Sequence, residues 1–209
     1  MTDAVRIDYF LSLNSPWAHL GATRIEALAA RHGAVLRVLP CDYRETIFPA
    51  SGGLPLPKRS PPRQAYRMQE LRRWRTHLGI ALNLTPRHSP FDEAFAACCV
   101  IAARETLGNP SAVALAHRLL KALWAEDRDP SEHATLAACM TDVGLAPAPL
   151  LALAEAPRWA VLRVTDSQAA LSRGVFGAPS YVVGDAVFWG QDRLDFLDRH
   201  LTACDGSAT

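Results

Sequence analysis

Residues 14–17, Asn-Ser-Pro-Trp, combine a hydroxyl with a predicted helix start. Ser15 precedes Pro16, a residue suited to the first position of a helix. The unpaired backbone N–H groups of such a helix start favour an anion. Two interpretations of Ser15 stay open: it caps the helix, or its hydroxyl donates a hydrogen bond to a thiolate and lowers the pKa of that thiol from about 8.5.

A second candidate segment, residues 175–180, reads Val-Phe-Gly-Ala-Pro-Ser. Ala178 precedes Pro179 and is therefore disfavoured in helical geometry, which predicts a turn. A cis Ala178–Pro179 bond would leave the Ala178 N–H and C=O free to pair with an extended peptide ligand. The alternative is an ordinary turn proline, since only about 5% of X-Pro bonds are cis.

The third candidate segment, residues 189–193, reads Trp-Gly-Gln-Asp-Arg and places Gln191 and Asp192 at another predicted helix start. Backbone amides there can bind a ligand carboxylate, and the Asp192 side chain can neutralise an ammonium group. A helix-capping aspartate explains Asp192 almost as well.

The elements around these segments predict an α/β fold. A strand over 5–11, a helix over 18–32 ended by Gly33 and a strand over 35–39 form a parallel β-α-β unit. After Pro157 the patterns predict a helix to Gly174, strands over 180–183 and 186–189 turned at Gly184-Asp185, a helix over 191–201 and a frayed tail over 204–209.

The middle of the chain is predicted to be all helical. Residues 43–62 are rich in proline and glycine, which indicates a long functional loop that could cover a site. Repeated capping residues followed by proline predict helices over about 62–78, 90–107, 109–126 and 129–144. We therefore expect one domain formed by 1–44 and 157–209, interrupted by a helical insertion over 45–156.

Composition argues against several classes of partner. The 22 basic and 21 acidic residues give a net charge of +1, which provides no excess charge for nucleic acid or an anionic membrane. No apolar run approaches the ~20 residues of a membrane span, and Asp3 and Asp8 interrupt any signal segment, so a cytoplasmic protein is expected.

The five cysteines show neither a C-x-x-C pair nor metal-ligand spacing, so neither a disulfide framework nor a metal site is expected. Cys98 and Cys99 lie in a run that is apolar on every face. Buried packing is the favoured interpretation of this pair, and a reactive vicinal pair is the alternative.

Together, the segments 15–17, 72–80, 175–179 and 188–194 resemble the 2-hydroxychromene-2-carboxylate isomerase family, which is close to the kappa-class glutathione transferases in the DsbA-like thioredoxin superfamily. The resemblance runs nearly end to end. It implies a thioredoxin-like fold with a large helical insertion, a homodimer, a small aromatic substrate and glutathione as cofactor.

The resemblance also assigns roles by position. Ser15 would activate the glutathione sulfur and Ala178, beside Pro179, would pair with the cysteinyl backbone. The γ-glutamyl end would be held by Trp189, Gly190, Gln191 and Asp192. The implied chemistry is reversible thiol addition to an aromatic-conjugated carbon, bond rotation and elimination of the thiol, which suits a nucleophile that is also a good leaving group.

The chain departs from the family at the substrate positions. Members acting on the chromene acid carry a lysine and an aromatic hydroxyl, whose positions here fall near Ile47 and His88. Arg44, Arg59 or Arg63 could replace the lysine as a carboxylate clamp, because a guanidinium binds a carboxylate through two hydrogen bonds. His88 is either a general acid or a surface histidine.

Three functional classes follow from these observations. They are a glutathione-dependent isomerase, a glutathione transferase or peroxidase on the same scaffold, and a thiol-disulfide oxidoreductase or non-catalytic binding module. The third is disfavoured because residues 15–18 contain no cysteine to form a mixed disulfide. The residues do not separate the first two.

Overall fold

The computed structural model describes the backbone of residues 4–206 and the side chains of residues 4–203. Within that part of the chain, one mixed sheet has the strand order β2-β1-β3-β4. Strand β1 is parallel to β2 and antiparallel to β3, which is antiparallel to β4. The strands are β1 (Arg6–Leu11), β2 (Val35–Pro40), β3 (Ser180–Val183) and β4 (Ala186–Trp189).

Helices surround this sheet and fill the middle of the chain. The α-helices are α1 (Pro16–Arg31), α2 (Phe48–Ser51), α3 (Pro61–Leu78), α4 (Ala94–Leu107), α5 (Asn109–Trp124), α6 (His133–Asp142), α7 (Pro147–Ala154), α8 (Arg158–Ser172) and α9 (Leu194–Gly206). A π-helical turn covers Tyr43–Ile47, and 3-10 turns cover Leu56–Lys58 and Gln191–Arg193. None of the helices over residues 4–206 is long and apolar enough to cross a membrane.

The predicted β-α-β unit and the C-terminal hairpin are confirmed, and the strands seen in residues 4–206 all lie outside 45–156. The expected division at 44/45 and 156/157 stays a prediction. One large buried cluster unites sheet residues such as Ile7 and Val38 with insertion residues such as Ile101 and Leu119. The insertion thus packs directly on the sheet.

Four sequence-based boundaries are wrong, and one of them is the start of helix α6, which lies at His133 rather than at residue 129. Residues 43–62 are not a continuous loop, because Tyr43 and Ile47 are buried and fold the chain into helical turns. Helix α4 begins at Ala94 rather than at residue 90, and the Ser89–Pro90 bond before it is cis. Helix α9 continues to Gly206, so the expected frayed tail is helical over 204–206, and residues 207–209 lie outside the described residues.

The four cysteines with described side chains are buried and free, including Cys98 and Cys99, as expected for packing residues. Burial raises the pKa of Cys98, and it raises that of Cys99 to about 12. A reactive thiolate pair therefore has no support here, since the nucleophilic form is disfavoured. The side chain of Cys204 lies outside the described residues.

A buried ion pair fastens helix α4 to helix α8 and to the sheet. Arg104 donates hydrogen bonds to the Asp166 carboxylate at 2.9 Å and to the Val38 carbonyl at 3.0 Å. The two side chains are 2% and 8% exposed. Burial raises the pKa of Asp166, and Arg104 opposes that rise. The aspartate therefore depends on Arg104 to remain ionised.

We expect Arg104→Met to lower the free energy of unfolding by about 3–5 kcal/mol, because it leaves the Asp166 carboxylate buried without a partner. Adding Asp166→Leu should recover much of that loss. Arg44→Met removes an ion pair whose side chains are 82% and 75% exposed and should change stability by less than about 1 kcal/mol. Urea denaturation tests all three. A small effect of Arg104→Met alone would contradict this account.

Candidate active site

Ser15 lies at the N-cap of α1 with φ −89° and ψ 114°. Its Oγ accepts a hydrogen bond from the Ala18 N–H at 3.2 Å and donates one to the Ala178 carbonyl at 3.3 Å. The capping interpretation of Ser15 is therefore confirmed. The second bond places the same hydroxyl against the predicted turn at Pro179.

The turn before β3 is braced from two sides. The Ala178–Pro179 bond is cis, which is the first of the two alternatives considered for this segment. The Gly177 carbonyl accepts hydrogen bonds from the Tyr43 hydroxyl at 3.2 Å and from the Ser180 hydroxyl at 2.7 Å. No hydrogen bond within the described residues uses the Ala178 N–H, so this donor is available to a ligand beside Ser15.

The third candidate segment is attached to the same turn. The Gly190 N–H donates to the Pro179 carbonyl at 2.8 Å. A Cβ on Gly177 would lie 2.2 Å from the Trp189 Nε1, so the absence of a side chain at Gly177 lets the indole lie against the turn. Trp189 is 52% exposed and meets the Phe176 ring edge to face at 4.6 Å. An accessible aromatic surface therefore borders the Ala178 donor.

Gln191 and Asp192 have different surroundings. Gln191 is 1% exposed, and Arg24 Nη1 donates to its Oε1 at 2.6 Å and to its backbone carbonyl at 3.0 Å. The Gln191 side chain is thus buried and bonded to Arg24, so it supports the turn. Its backbone N–H is then the group of this residue that could contact a ligand. The exposed Asp192 carboxylate lies 3.1 Å from the Arg193 guanidinium.

Residues that precede α4 hold the 12–15 segment in place through hydrogen bonds. The Asn14 side chain and the Phe91 backbone exchange two hydrogen bonds of 3.0 Å. Glu93 accepts hydrogen bonds from the Ser12 hydroxyl and from the Asn14 N–H. These contacts also explain why α4 begins late, since residues 91 and 93 hold this segment rather than beginning the helix.

Three of the four residues expected to bind substrate make contacts outside the candidate segments. The exposed Arg44 pairs with Glu45 at 3.3 Å, and His88 Nδ1 lies 3.5 Å from Asp129. Arg59 donates to the Leu54 carbonyl at 2.8 Å. No hydrogen bond or ion pair within residues 4–203 joins any of them to the 12–15 segment. Ile47, near which the resemblance led us to expect the position of a lysine, is fully buried.

Arg59 and Arg63 belong to a group of like charges near the start of α3. Burial and the charge of Arg63 lower the pKa of Arg59, while burial and the charge of Arg59 lower that of Arg67 to about 10. In the described part of the chain none of the three forms an ion pair. Arg67 is therefore an additional cation that sequence reasoning did not select as a carboxylate ligand.

Sequence reasoning missed four supporting residues, which are Arg24, Tyr43, Glu93 and Arg163. Arg163 supports the site through Glu93, because its Nη2 lies 3.4 Å from the Glu93 Oε1. Each acts through contacts between segments distant in sequence. Only Glu93 carried a signal, as an acid just before an apolar helix, and that pattern predicts a first-turn acid rather than a contact with residue 14. In residues 4–203, no group of three or more potential ligands could hold a metal ion.

Comparison with known proteins gives the family of this chain. A family model described as a DSBA-like thioredoxin domain matches residues 6–202. A 2-hydroxychromene-2-carboxylate isomerase of Sphingobium xenophagum is 31% identical over 199 residues, which cover 93% of this chain and 97% of that protein. This chain belongs to the 2-hydroxychromene-2-carboxylate isomerase family, among the DSBA-like thioredoxin proteins.

Two further comparisons give lower sequence identities. The 2-hydroxychromene-2-carboxylate isomerase of Pseudomonas putida is 22% identical over 201 residues, with 93% of each chain covered. A solved structure of a 2-hydroxychromene-2-carboxylate isomerase is 22% identical, covers 97% of this chain and 98% of its own, and gives a TM-score of 0.78. The predicted thioredoxin-like α/β fold with a helical insertion is thus confirmed.

We expect Arg24→Met to lower the free energy of unfolding by about 1–3 kcal/mol, because it leaves the buried Gln191 Oε1 without a donor. Arg31→Met, on the same helix, is the matched control. The exposed Arg31 pairs with Asp198, which also contacts His32, so this change should cost less than about 1 kcal/mol. Equal urea midpoints for the two variants would exclude a supporting role for Arg24.

Proposed function

We propose that this protein is a glutathione-dependent isomerase of the 2-hydroxychromene-2-carboxylate type. The observation that carries the proposal is the Ser15 hydroxyl, which lies at a helix N-terminus within 3.3 Å of the Ala178 carbonyl. A peptide thiol paired with Ala178 would bring its sulfur near this hydroxyl. The membership of the family supplies the reaction class.

The three candidate segments fit the chemistry of glutathione. The available Ala178 N–H can donate to an extended peptide, as in strand addition. The exposed Asp192 carboxylate suits the ammonium of the γ-glutamyl end. The backbone N–H groups of Gln191 and Asp192 suit its α-carboxylate, whereas the Arg193 N–H already donates to the Gly190 carbonyl at 3.1 Å. Gly190 has φ +102°, which favours glycine, and a Cβ at this position would lie 2.3 Å from the Asp192 Oδ1.

The protein's contribution is to bind, orient and stabilise an anion. Glutathione, when bound, supplies a thiolate that can add to an electron-poor carbon and leave again. Ser15 turns its hydroxyl proton from the Ala178 carbonyl towards the sulfur, and the N-terminus of α1 adds a favourable electrostatic field. A lower thiol pKa increases the fraction of nucleophile at neutral pH and also makes the thiolate a better leaving group.

The substrate side of the site is proposed from chemistry alone. The exposed Phe176 and Trp189 rings form an aromatic surface next to Ala178 that can stack on an aromatic ring. Arg59, Arg63 and Arg67, which lack ion-pair partners in the described residues, are the cations that would meet a substrate carboxylate. We also propose a cytoplasmic homodimer, without nucleic-acid or membrane partners.

Two assays test the proposed activity. Isomerisation of 2-hydroxychromene-2-carboxylate should require glutathione and should consume none of it. A transferase on the same scaffold would instead consume glutathione with a generic electrophile such as 1-chloro-2,4-dinitrobenzene. Isomerisation at the same rate without glutathione would contradict the proposal, and conjugation without isomerisation would favour the transferase.

Asp192→Ala should weaken glutathione binding by about 1–3 kcal/mol, because it removes a charged hydrogen-bond partner of the ammonium group. Asp185→Ala, in the exposed turn between β3 and β4, is the control and should bind as the wild type does. Isothermal titration calorimetry gives both affinities. An unchanged affinity of Asp192→Ala would remove Asp192 from the site.

Ser15→Ala and Ser15→Gly separate the capping and catalytic roles. Alanine should lower stability by about 1 kcal/mol, whereas glycine should cost only a few tenths. Both remove the hydroxyl, so both should raise the pKa of bound glutathione and reduce turnover by about 10²-fold, as the loss of one preorganised oxyanion donor does. Thiolate absorbance and kinetics report these effects. Full turnover of Ser15→Gly would leave Ser15 as a helix cap only.

A further inference from the structure

Glu93 places a largely buried carboxylate under the 12–15 segment. Its side chain is 14% exposed. Oε2 accepts hydrogen bonds from the Ser12 hydroxyl at 2.8 Å and from the Asn14 N–H at 3.1 Å. Oε1 accepts from the Ser12 hydroxyl at 3.0 Å and lies 3.4 Å from the Arg163 Nη2.

The contacts of Glu93 are not those of a helix-capping residue. Glu93 is at the N-cap of α4, yet its side chain makes no capping hydrogen bond. It reaches a segment about 80 residues earlier in the chain, where the Ser15 N–H donates to the Ser12 carbonyl at 3.0 Å. The residues before and after Leu13 are thus fixed by one carboxylate, and Ser15 follows directly.

We propose that Glu93 is a positioning residue for Ser15 and that its ionised form holds the 12–15 segment in the arrangement that directs the Ser15 hydroxyl at the ligand. The effect of Glu93 on turnover rests on the proposed function. The contact between Glu93 and Asn14 does not depend on the proposed function.

Protonation of Glu93 would change this arrangement. A neutral carboxyl loses its attraction to Arg163 and is a weaker acceptor for the Ser12 and Asn14 donors. Burial raises the pKa of Glu93, and Arg163 together with the hydrogen bonds from Ser12 and Asn14 opposes the rise. Ionisation therefore occurs at a higher pH than for an exposed glutamate.

The other charged or titratable groups facing Glu93 keep their charge over the pH range in which Glu93 ionises. Arg163, from α8, is a guanidinium and stays positive. Cys41, at the end of β2, and Tyr43, in the π-helical turn, have pKa values raised by burial, so both stay neutral. Glu93 is thus the group at this position that changes its charge.

The pH dependence of stability and the pH dependence of turnover are expected to have opposite signs. A carboxyl whose pKa is raised by folding stabilises the fold below its unfolded pKa, and this contribution is lost as the pH rises through the folded pKa. Turnover should follow the opposite direction, because the ionised form positions Ser15. A residue with only a structural role would change both quantities together.

Glu93→Gln tests the proposal, with Asp92→Asn, an exposed neighbour, as the control. Glutamine keeps the shape and one acceptor but carries no charge. We expect kcat to fall about 10- to 100-fold, as for a misplaced catalytic group, with KM for glutathione within about twofold.

The stability of Glu93→Gln at neutral pH should be unchanged or higher, and the rise of kcat with pH through the ionisation of Glu93 should disappear. Asp92→Asn should behave as the wild type does. Wild-type kcat and pH profile in Glu93→Gln would overturn the proposal.

A second measurement is independent of turnover. In a pH titration, the ¹⁵N and ¹H shifts of the Asn14 amide should follow the ionisation of Glu93 in the wild type and should be flat in Glu93→Gln. An Asn14 amide that does not titrate in the wild type overturns the proposal whatever the kinetics show. If the wild type has no glutathione-dependent turnover but Asn14 titrates, the proposed function fails and Glu93 still holds the segment.

Discussion

The hydrogen bond between Ser15 and the Ala178 carbonyl joins two segments 163 residues apart, and the candidate site is organised around it. The sheet makes the contact possible. Strands β1 and β3 are antiparallel, with Phe10 opposite Ser180, so the end of β1 lies beside the beginning of β3. Ser15 follows the first and Ala178 precedes the second. The N-terminus of α1 and the turn that carries Ala178 therefore lie side by side because β1 and β3 run in opposite directions.

The site depends on supports from outside the four strands. Tyr43, from a buried π-helical turn, fixes the Gly177 carbonyl, and Glu93, just before α4, fixes the 12–15 segment. Arg24, from α1, fixes the turn at Gln191. Each support crosses a large distance in sequence. Through Glu93, the helical middle of the chain therefore contributes to the geometry of the site, beyond its share of the buried core.

The sequence predicted the parts of the fold that local patterns determine. Alternation and β-branched residues gave the four strands, and Gly33 and Gly174 follow the ends of α1 and α8 closely. The segment over 43–62 was mispredicted because proline and glycine content indicates a loop, whereas burial of Tyr43 folds it into turns. The structure brings Ser15 and Ala178 into contact, as the sequence led us to expect, and their roles as site residues stay a prediction. Glu93 and Arg24 could not be found, since their roles arise from contacts that no local pattern encodes.

A crystal structure with glutathione is the most direct test that Ser15 and Ala178 form the thiol site. The account predicts the glutathione sulfur within hydrogen-bond distance of the Ser15 Oγ, with the cysteinyl backbone paired to Ala178 and the ammonium group beside Asp192. Glutathione bound elsewhere, or bound here with its sulfur directed away from Ser15, would contradict it.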